Sequence, residues 1–317
     1  MKAAVVRDFA AAPRYETHPE PAAGGAGVPV TVLAAALSPR VRSGAAGRHY
    51  TSSGALPLVP GLDGVGTLAD GRRVYFLAEN ERLGTMAERT LAEPSLTVDV
   101  PDGLDAPAVA ALMLPAISSW VALTQRVHLE RGESVLVLGA TGTSGQLAVQ
   151  IAKHLGASQI VAAGRNEAGL ERARAFGAQR VVRLSGTDAD GRAVAEAASE
   201  VDVVLDYLWG TVTSAVLPTL GRARAAESRA LRWVLVGSAA GDEIALSSVL
   251  LRKRNLQVLG SGQGAVPTEA MFGAAPEVLR ALAAGKLTVN ARAVSLSEVE
   301  RFWSAPLDAG ERLVFTP

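Results

Sequence analysis

Apolar and polar positions follow two different regimes along the chain. Between residues 106 and 262, short β-branched runs recur at 135–138, 160–163, 180–182, 202–206, 233–236 and 256–259. Each is short and apolar enough for a strand buried on both faces. Between them lie stretches with helical spacing at 145–155, 167–176, 191–199 and from 217 onward. Gly156 and Gly177 stand where the first two must stop, the usual place for a glycine. Strands alternating with helices over roughly 140 residues predict a doubly wound parallel sheet.

The flanks read otherwise. Strands are expected at 2–6, 28–37, 73–76, 83–91 and 96–100, the first two separated by a Pro/Gly/Ala loop. Asp70-Gly71 has the composition of a tight hairpin turn. Residues 38–50 form a polar, glycine-broken segment, and 58–68 are dense in turn residues. Short strands at close spacing predict a compact, irregular β-barrel. Helical pieces at 108–112 and 118–126 bridge into the parallel sheet. The tail from Pro276 carries a helix at 277–284 and two short strands that return to the first region. A basic, alanine-rich insert, 222–232, is expected on the solvated surface.

Composition narrows the classes. Hydrophobic residues are 49% of 317 and charged residues 20%, enough to bury a core in each of two ordinary domains. A formal net charge of zero favours neither nucleic acid nor an anionic membrane. No apolar run is expected to reach the roughly 20 residues that span a bilayer. The opening MKAAVVRDFA lacks a signal-peptide core, so a soluble, cytoplasmic protein is expected. Cysteine is absent, which removes disulfides and thiolate zinc sites. The four histidines, His18, His49, His128 and His154, are scattered, and each reads as structural or surface. Neither a Tyr-x-x-x-Lys pair nor a Gly-Lys-Ser/Thr loop is present.

The chemistry concentrates between the first two parallel strands. Gly139-Ala140-Thr141-Gly142-Thr143-Ser144-Gly145 joins a predicted strand to a predicted helix. Glycines there let the backbone turn tightly and approach a pyrophosphate, while free N–H groups at the helix start carry positive partial charge. The alternative is an ordinary strand-turn-helix whose glycines serve packing. The second strand ends in Gly164-Arg165-Asn166 rather than in the Asp or Glu that bonds a ribose hydroxyl. A guanidinium presents a fork of donors that suits a 2′-phosphate, which points to NADPH. The other reading of Arg165 is a solvated surface side chain.

Taken together, residues 60–66 (PGLDGVG), 114–120 (LPAISSW), 135–156, 201–207 (VDVVLDY) and 234–237 (VLVG) resemble the medium-chain dehydrogenase/reductase superfamily, in its zinc-independent, quinone oxidoreductase-like branch. The resemblance covers nearly the whole chain. It implies an α/β fold in which a Rossmann domain, 115–274, is inserted into a GroES-like β-barrel catalytic domain made of 1–114 and 275–317. Zinc-dependent relatives carry a cysteine near Ser38 and a histidine at Leu62, so a metal is not expected. The resemblance places the pyrophosphate on Gly139, Thr141, Gly142, Thr143, Ser144 and Gly145, and the 2′-phosphate at Gly164, Arg165 and Asn166. It adds cofactor contacts at Ser118, Gly237, Ser238, Gly260, Ser261 and Gly262. Ser38 takes the place of an asparagine beside the nicotinamide. Tyr50 matches a tyrosine of the substrate cleft, either a catalytic group or a liner that shapes it.

Departures from the family pattern are a shortened loop between Thr67 and Arg72, the 222–232 insert in place of a tight Pro-Gly-Gly turn, and Gly310-Glu311-Arg312 in place of Gly-Lys. The expected activity is metal-free, NADPH-dependent hydride transfer to a small molecule, a quinone or an α,β-unsaturated carbonyl, with Tyr50, Ser38, backbone N–H groups or water meeting the charge on oxygen. An enoyl thioester is a second acceptor, its phosphates met by Arg40, Arg42 and Arg48 unless these only solvate a loop. A third reading is an NADPH-binding protein with little turnover, acting as a sensor or structural protein. The resemblance also implies a homodimer through edge pairing at 256–259.

Overall fold

Strands in this chain sort into two units with different rules of connection, Met1–Leu114 with Ala275–Pro317, and Pro115–Ala274. The computed structural model describes residues 1–22, 27–80, 82–224 and 229–317. Part of the basic insert, 225–228, therefore lies outside the described residues.

In the first unit, β1 (Lys2–Val5) and β2 (Arg14–Thr17) form a two-stranded antiparallel ribbon. β3 (Val28–Ala36) leads into α1 (Pro39–Ala45), followed by β4 (Asp63–Thr67), β5 (Arg73–Ala78) and β6 (Arg89–Asp99). These four strands pair in sequence, and β3 also pairs with β6, which closes the barrel. Val30, Val32, Leu68, Val74, Phe76 and Ala92 fill its interior. The β4–β5 hairpin turns at Gly71, φ +88°, where Leu68 N–H donates to the Arg72 carbonyl, as the Asp-Gly signal predicts.

α2 (Ala106–Val121) runs on as a π-helical turn, Ala122–Arg126, despite Pro115 in its interior. The sequence suggested two separate pieces here and no apolar run long enough to cross a bilayer. The continuous helix has that length, 21 residues, and 72% of its apolar window is buried inside the fold. Its apolar character belongs to the core.

The second unit then alternates strand and helix: β7 (Ser134–Leu138), α3 (Thr143–His154), β8 (Gln159–Gly164), α4 (Glu167–Phe176), β9 (Arg180–Arg183), α5 (Ala189–Ala198), β10 (Val203–Asp206), α6 (Gly210–Ala223), β11 (Leu231–Leu235), α7 (Ser248–Lys253), β12 (Leu256–Gly260) and α8 (Thr268–Phe272). All six strands are parallel, in the order β12-β11-β10-β7-β8-β9. On one face Leu136, Leu138, Val161, Trp233 and Leu217 share a cluster. Each fully buried aliphatic side chain there contributes about 1.5–3 kcal/mol.

The chain then returns to the first unit as α9 (Ala275–Ala283), β13 (Asn290–Ser295), α10 (Val299–Phe302) and β14 (Glu311–Thr316). β14 pairs parallel with β13 and antiparallel with β3. The α/β class, the doubly wound sheet and the small closed barrel are those the sequence predicts.

Candidate dinucleotide-binding site

The sheet order reverses between β7 and β10, since β8 lies on one side of β7 and β10 on the other. Open parallel sheets bind ligands at such a crevice, outside the carboxyl ends of the strands. The glycine-rich turn sits there. β7 is buried at all five positions, and Gly139 follows at φ +89°. Gly139 and Ala140 both donate to the Ala163 carbonyl at 2.9 Å, which ties the turn to β8. Gly142 is the N-cap of α3, and having no side chain it makes no capping bond to the first turn. A Cβ at Gly145 would come 2.3 Å from the Gly139 oxygen, so helix and strand approach this closely only with glycine. At Gly142 the nearest atom would be 3.8 Å away, which leaves the turn open to a ligand.

Thr141 points sideways. A Cβ on Gly164 would meet its Cγ2 at 2.5 Å, and one on Gly169 its Cβ at 2.7 Å. It therefore packs the turn against the end of β8, where Arg165 stands exposed and pairs with no carboxylate among the described residues. Glu167, two residues on, is engaged with Arg183 at 3.4 Å. Asn166 has a structural duty: its Oδ1 accepts from the Gly169 N–H at 2.7 Å and caps α4.

The loops after the other strands are held by further hydrogen bonds, those centred on Asp206 being the most buried. Asp206, fully buried, accepts from the Leu208 and Trp209 N–H groups at 2.8 and 2.9 Å, and from Thr213 Oγ1 and Trp233 Nε1 at 2.5 and 2.9 Å. The first two bonds tie down the backbone at Trp209, which sits at φ +51°, a strained position for a residue with a side chain. Gly237 donates to the Asp206 carbonyl at 3.1 Å, and Ser238 Oγ donates to Asp242 Oδ1 at 2.8 Å. Arg126 Nε donates to the Gly260 carbonyl at 2.9 Å. Ser261 is 4% exposed and its Oγ lacks a partner among the described residues, while Gly262 accepts from Ala265 and Val266. Ser118 lies half-buried on α2. His154, at the end of α3, is exposed beside the Trp120 ring at 5.5 Å, a surface histidine as expected.

In the first unit, Ser38 is the N-cap of α1, its Oγ accepting from Val41 N–H at 3.1 Å. Its own hydroxyl proton can still be donated. The sequence reading missed this helix; Ser38-Pro39 is the signal that could have found it, a capping residue followed by proline at the first helical position. Tyr50 is 74% exposed and stacks on His49 with ring centroids 4.3 Å apart.

One cluster was not anticipated. Asp63, 3% exposed, accepts from the Tyr75 hydroxyl at 3.0 Å. Burial pushes its carboxyl up to about 6, against the opposing pull of that bond and of the Arg312 and Arg40 charges. Arg312, itself buried, donates to the Leu37 carbonyl at 3.4 Å; its Nε, with Nε and Nη2 of Arg42, has no partner among the described residues. An acid inside the apolar strand β4 was the available signal. Among the described residues no group of three His, Asp or Glu side chains is arranged to hold a metal ion.

Comparison with known proteins fits this arrangement. A family profile described as zinc-binding dehydrogenase matches residues 145–283, a stretch that contains neither Ser38 nor Leu62. The chain is 29% identical over 326 residues to a protein of Emericella nidulans named "Probable NADPH-dependent quinone reductase", covering 90% of this chain and 91% of that one. It is 31% identical over 196 residues to the chloroplastic "NADPH-dependent alkenal/one oxidoreductase" of Arabidopsis thaliana, covering 56% of this chain and 49% of the other. Among solved structures, the quinone oxidoreductase from Thermus thermophilus, determined also in complex with NADPH, superposes with a TM-score of 0.82 at 27% identity over all of both chains.

Proposed function

Because the chain belongs to the medium-chain dehydrogenase/reductase superfamily, in its quinone oxidoreductase-like branch, we propose that it catalyses NADPH-dependent reduction of a quinone or an α,β-unsaturated carbonyl without a metal. The observation that carries the cofactor choice is Arg165: exposed, unpaired with any carboxylate among the described residues, and tied through Thr141 to the pyrophosphate turn. When bound, NADPH supplies a hydride to the electron-poor carbon of the acceptor. The chain's own contribution is binding and polarisation. The N–H groups at the start of α3 meet the pyrophosphate, and the Arg165 fork meets the 2′-phosphate.

Residues 115–274 serve in this reading as the NADPH-binding domain, and 1–114 with 275–317 as the catalytic domain. Gly164 and the segments at Ser118, Gly237-Ser238 and 260–262 complete the cofactor contacts. Asn166 contributes through its amide N–H₂, since its oxygen caps α4. Charge on the acceptor oxygen must be met by donors, and we assign that to the hydroxyls of Ser38 and Tyr50. The lack of cysteine, with Ser38 and Leu62 where zinc ligands stand in zinc-dependent relatives, is why a metal has no part in it. A cytoplasmic homodimer is the form we propose for the enzyme.

Fluorescence titration tests the cofactor. Arg165→Ala is expected to weaken NADPH about tenfold or more, the loss of a charged hydrogen bond, with NADH nearly unchanged. Equal weakening of both dinucleotides would refute the role of Arg165. Screening NADPH oxidation against quinones, enones and enoyl-CoA thioesters identifies the acceptor; turnover on thioesters alone would overturn the quinone or enone reading.

A further inference from the structure

Tyr207 is where three of the crevice loops meet. It is the first residue past β10, and its N–H donates to the Leu138 carbonyl at 3.1 Å. Its carbonyl accepts from Ala239 N–H at 3.2 Å. A Cβ on Gly139 would come 3.2 Å from Tyr207 Cβ, and one on Gly237 would come 3.3 Å from its carbonyl oxygen. At the far end of the ring, the phenol oxygen lies 2.6 Å from Ser119 Oγ on α2.

The protons in that contact can be assigned. Ser119 Oγ donates to the Pro115 carbonyl at 2.8 Å, one turn back along the helix. A hydroxyl has one proton, so the 2.6 Å bond must be Tyr207 donating to Ser119. The phenol oxygen is thereby left as an acceptor with its rotor fixed. Burial raises the phenol well above its ordinary range, so the group keeps its proton at every pH the enzyme would meet.

Sheet order says which part of a dinucleotide comes near. Arg165 at the end of β8 takes the adenosine end, and the turn after β7 takes the pyrophosphate. With strands ordered β10-β7-β8, the nicotinamide half must extend over β10, the strand that Tyr207 follows. The N–H donors of the nicotinamide ring system are those of its carboxamide. We propose that Tyr207 is a cofactor-positioning residue, its phenol oxygen accepting a hydrogen bond from the nicotinamide carboxamide while Ser119 holds that oxygen in place. The inference rests on the NADPH reading above.

A pair of dinucleotides tests it: NADPH and its analogue with an acetyl group replacing the carboxamide, which keeps the shape and loses the donor. Binding is read by fluorescence or calorimetry for the unaltered protein, Tyr207→Phe and Ser119→Ala. The unaltered protein should prefer NADPH about tenfold, as one lost buried bond implies. Tyr207→Phe should bind NADPH about tenfold more weakly and the analogue as before, so that the preference collapses. Ser119→Ala should lose part of it. The preference is a ratio measured within one preparation, so a smaller folded fraction cancels. An unchanged ratio in Tyr207→Phe, or equal weakening of both ligands, overturns the proposal. Failure of the unaltered protein to bind either dinucleotide would overturn the NADPH reading itself, and this inference with it.

Discussion

Asp63 shows how much one residue can tilt stability with pH. Its carboxyl is raised from 3.8 to about 6, so the folded chain holds this proton more tightly than the unfolded chain does. Ionising it therefore costs folding free energy, absent below about pH 4 and complete above about pH 6, on the order of 3 kcal/mol for such a shift. Asp63→Asn keeps an acceptor for the Tyr75 hydroxyl and removes the charge. The variant is expected to be more stable than the parent in denaturant melts at pH 8, with the advantage vanishing at pH 4. A constant difference across that range would sink the account. The aspartate was visible in the sequence as part of the 60–66 motif, yet its burial was not. Burial depends on β4 being covered by β3 and β5, and on Arg312 arriving from the far end of the chain.

The glycine turn makes the same point for an element. Strand, turn and helix were readable because local rules dominate there: a β-branched run, glycines at a positive φ or a close approach, and an amphipathic helix stopped by Gly156 at φ +92°. The structure assigns each glycine a separate reason, and these separate in experiment. Gly145→Ala would push a methyl to 2.3 Å from a backbone oxygen, so melting temperature and dinucleotide affinity should both fall, the former by overpacking of about 1–3 kcal/mol. Gly142→Ala meets nothing closer than 3.8 Å and should lower affinity with melting unchanged. Identical behaviour of the two variants would count against the ligand's path over Gly142. Elements decided by tertiary contact were harder to read. β6 is one strand of 11 residues where the sequence suggested two, because it pairs with β5 and β3 along different parts of its length. α7 and α8, at six and five residues, are too short to show a period.

At the scale of the molecule, β12 ends the parallel sheet and has no neighbour on its outer side among the described residues. Unpaired edges invite pairing with another strand. Val249 and Leu251, on the helix just ahead of it, are 51% and 43% exposed. The homodimer proposed above would cover this edge, so Val249→Glu should lower the mass measured by light scattering to that of one chain. A single-chain mass in the unaltered protein would remove the homodimer. The pairing of β3 with β14 bears on the order in which the chain can fold. Val314 opposes Ala36 across that pairing, yet the entire parallel-sheet unit lies between them in sequence. On the ribosome, β3 emerges first and must wait for its partner until every strand of the other unit has been made. Residues 115–274 are contiguous and face no such delay. During synthesis the inserted unit can therefore fold while its host is still incomplete, and protease should cut nascent chains halted before β14 within the host rather than within the insert.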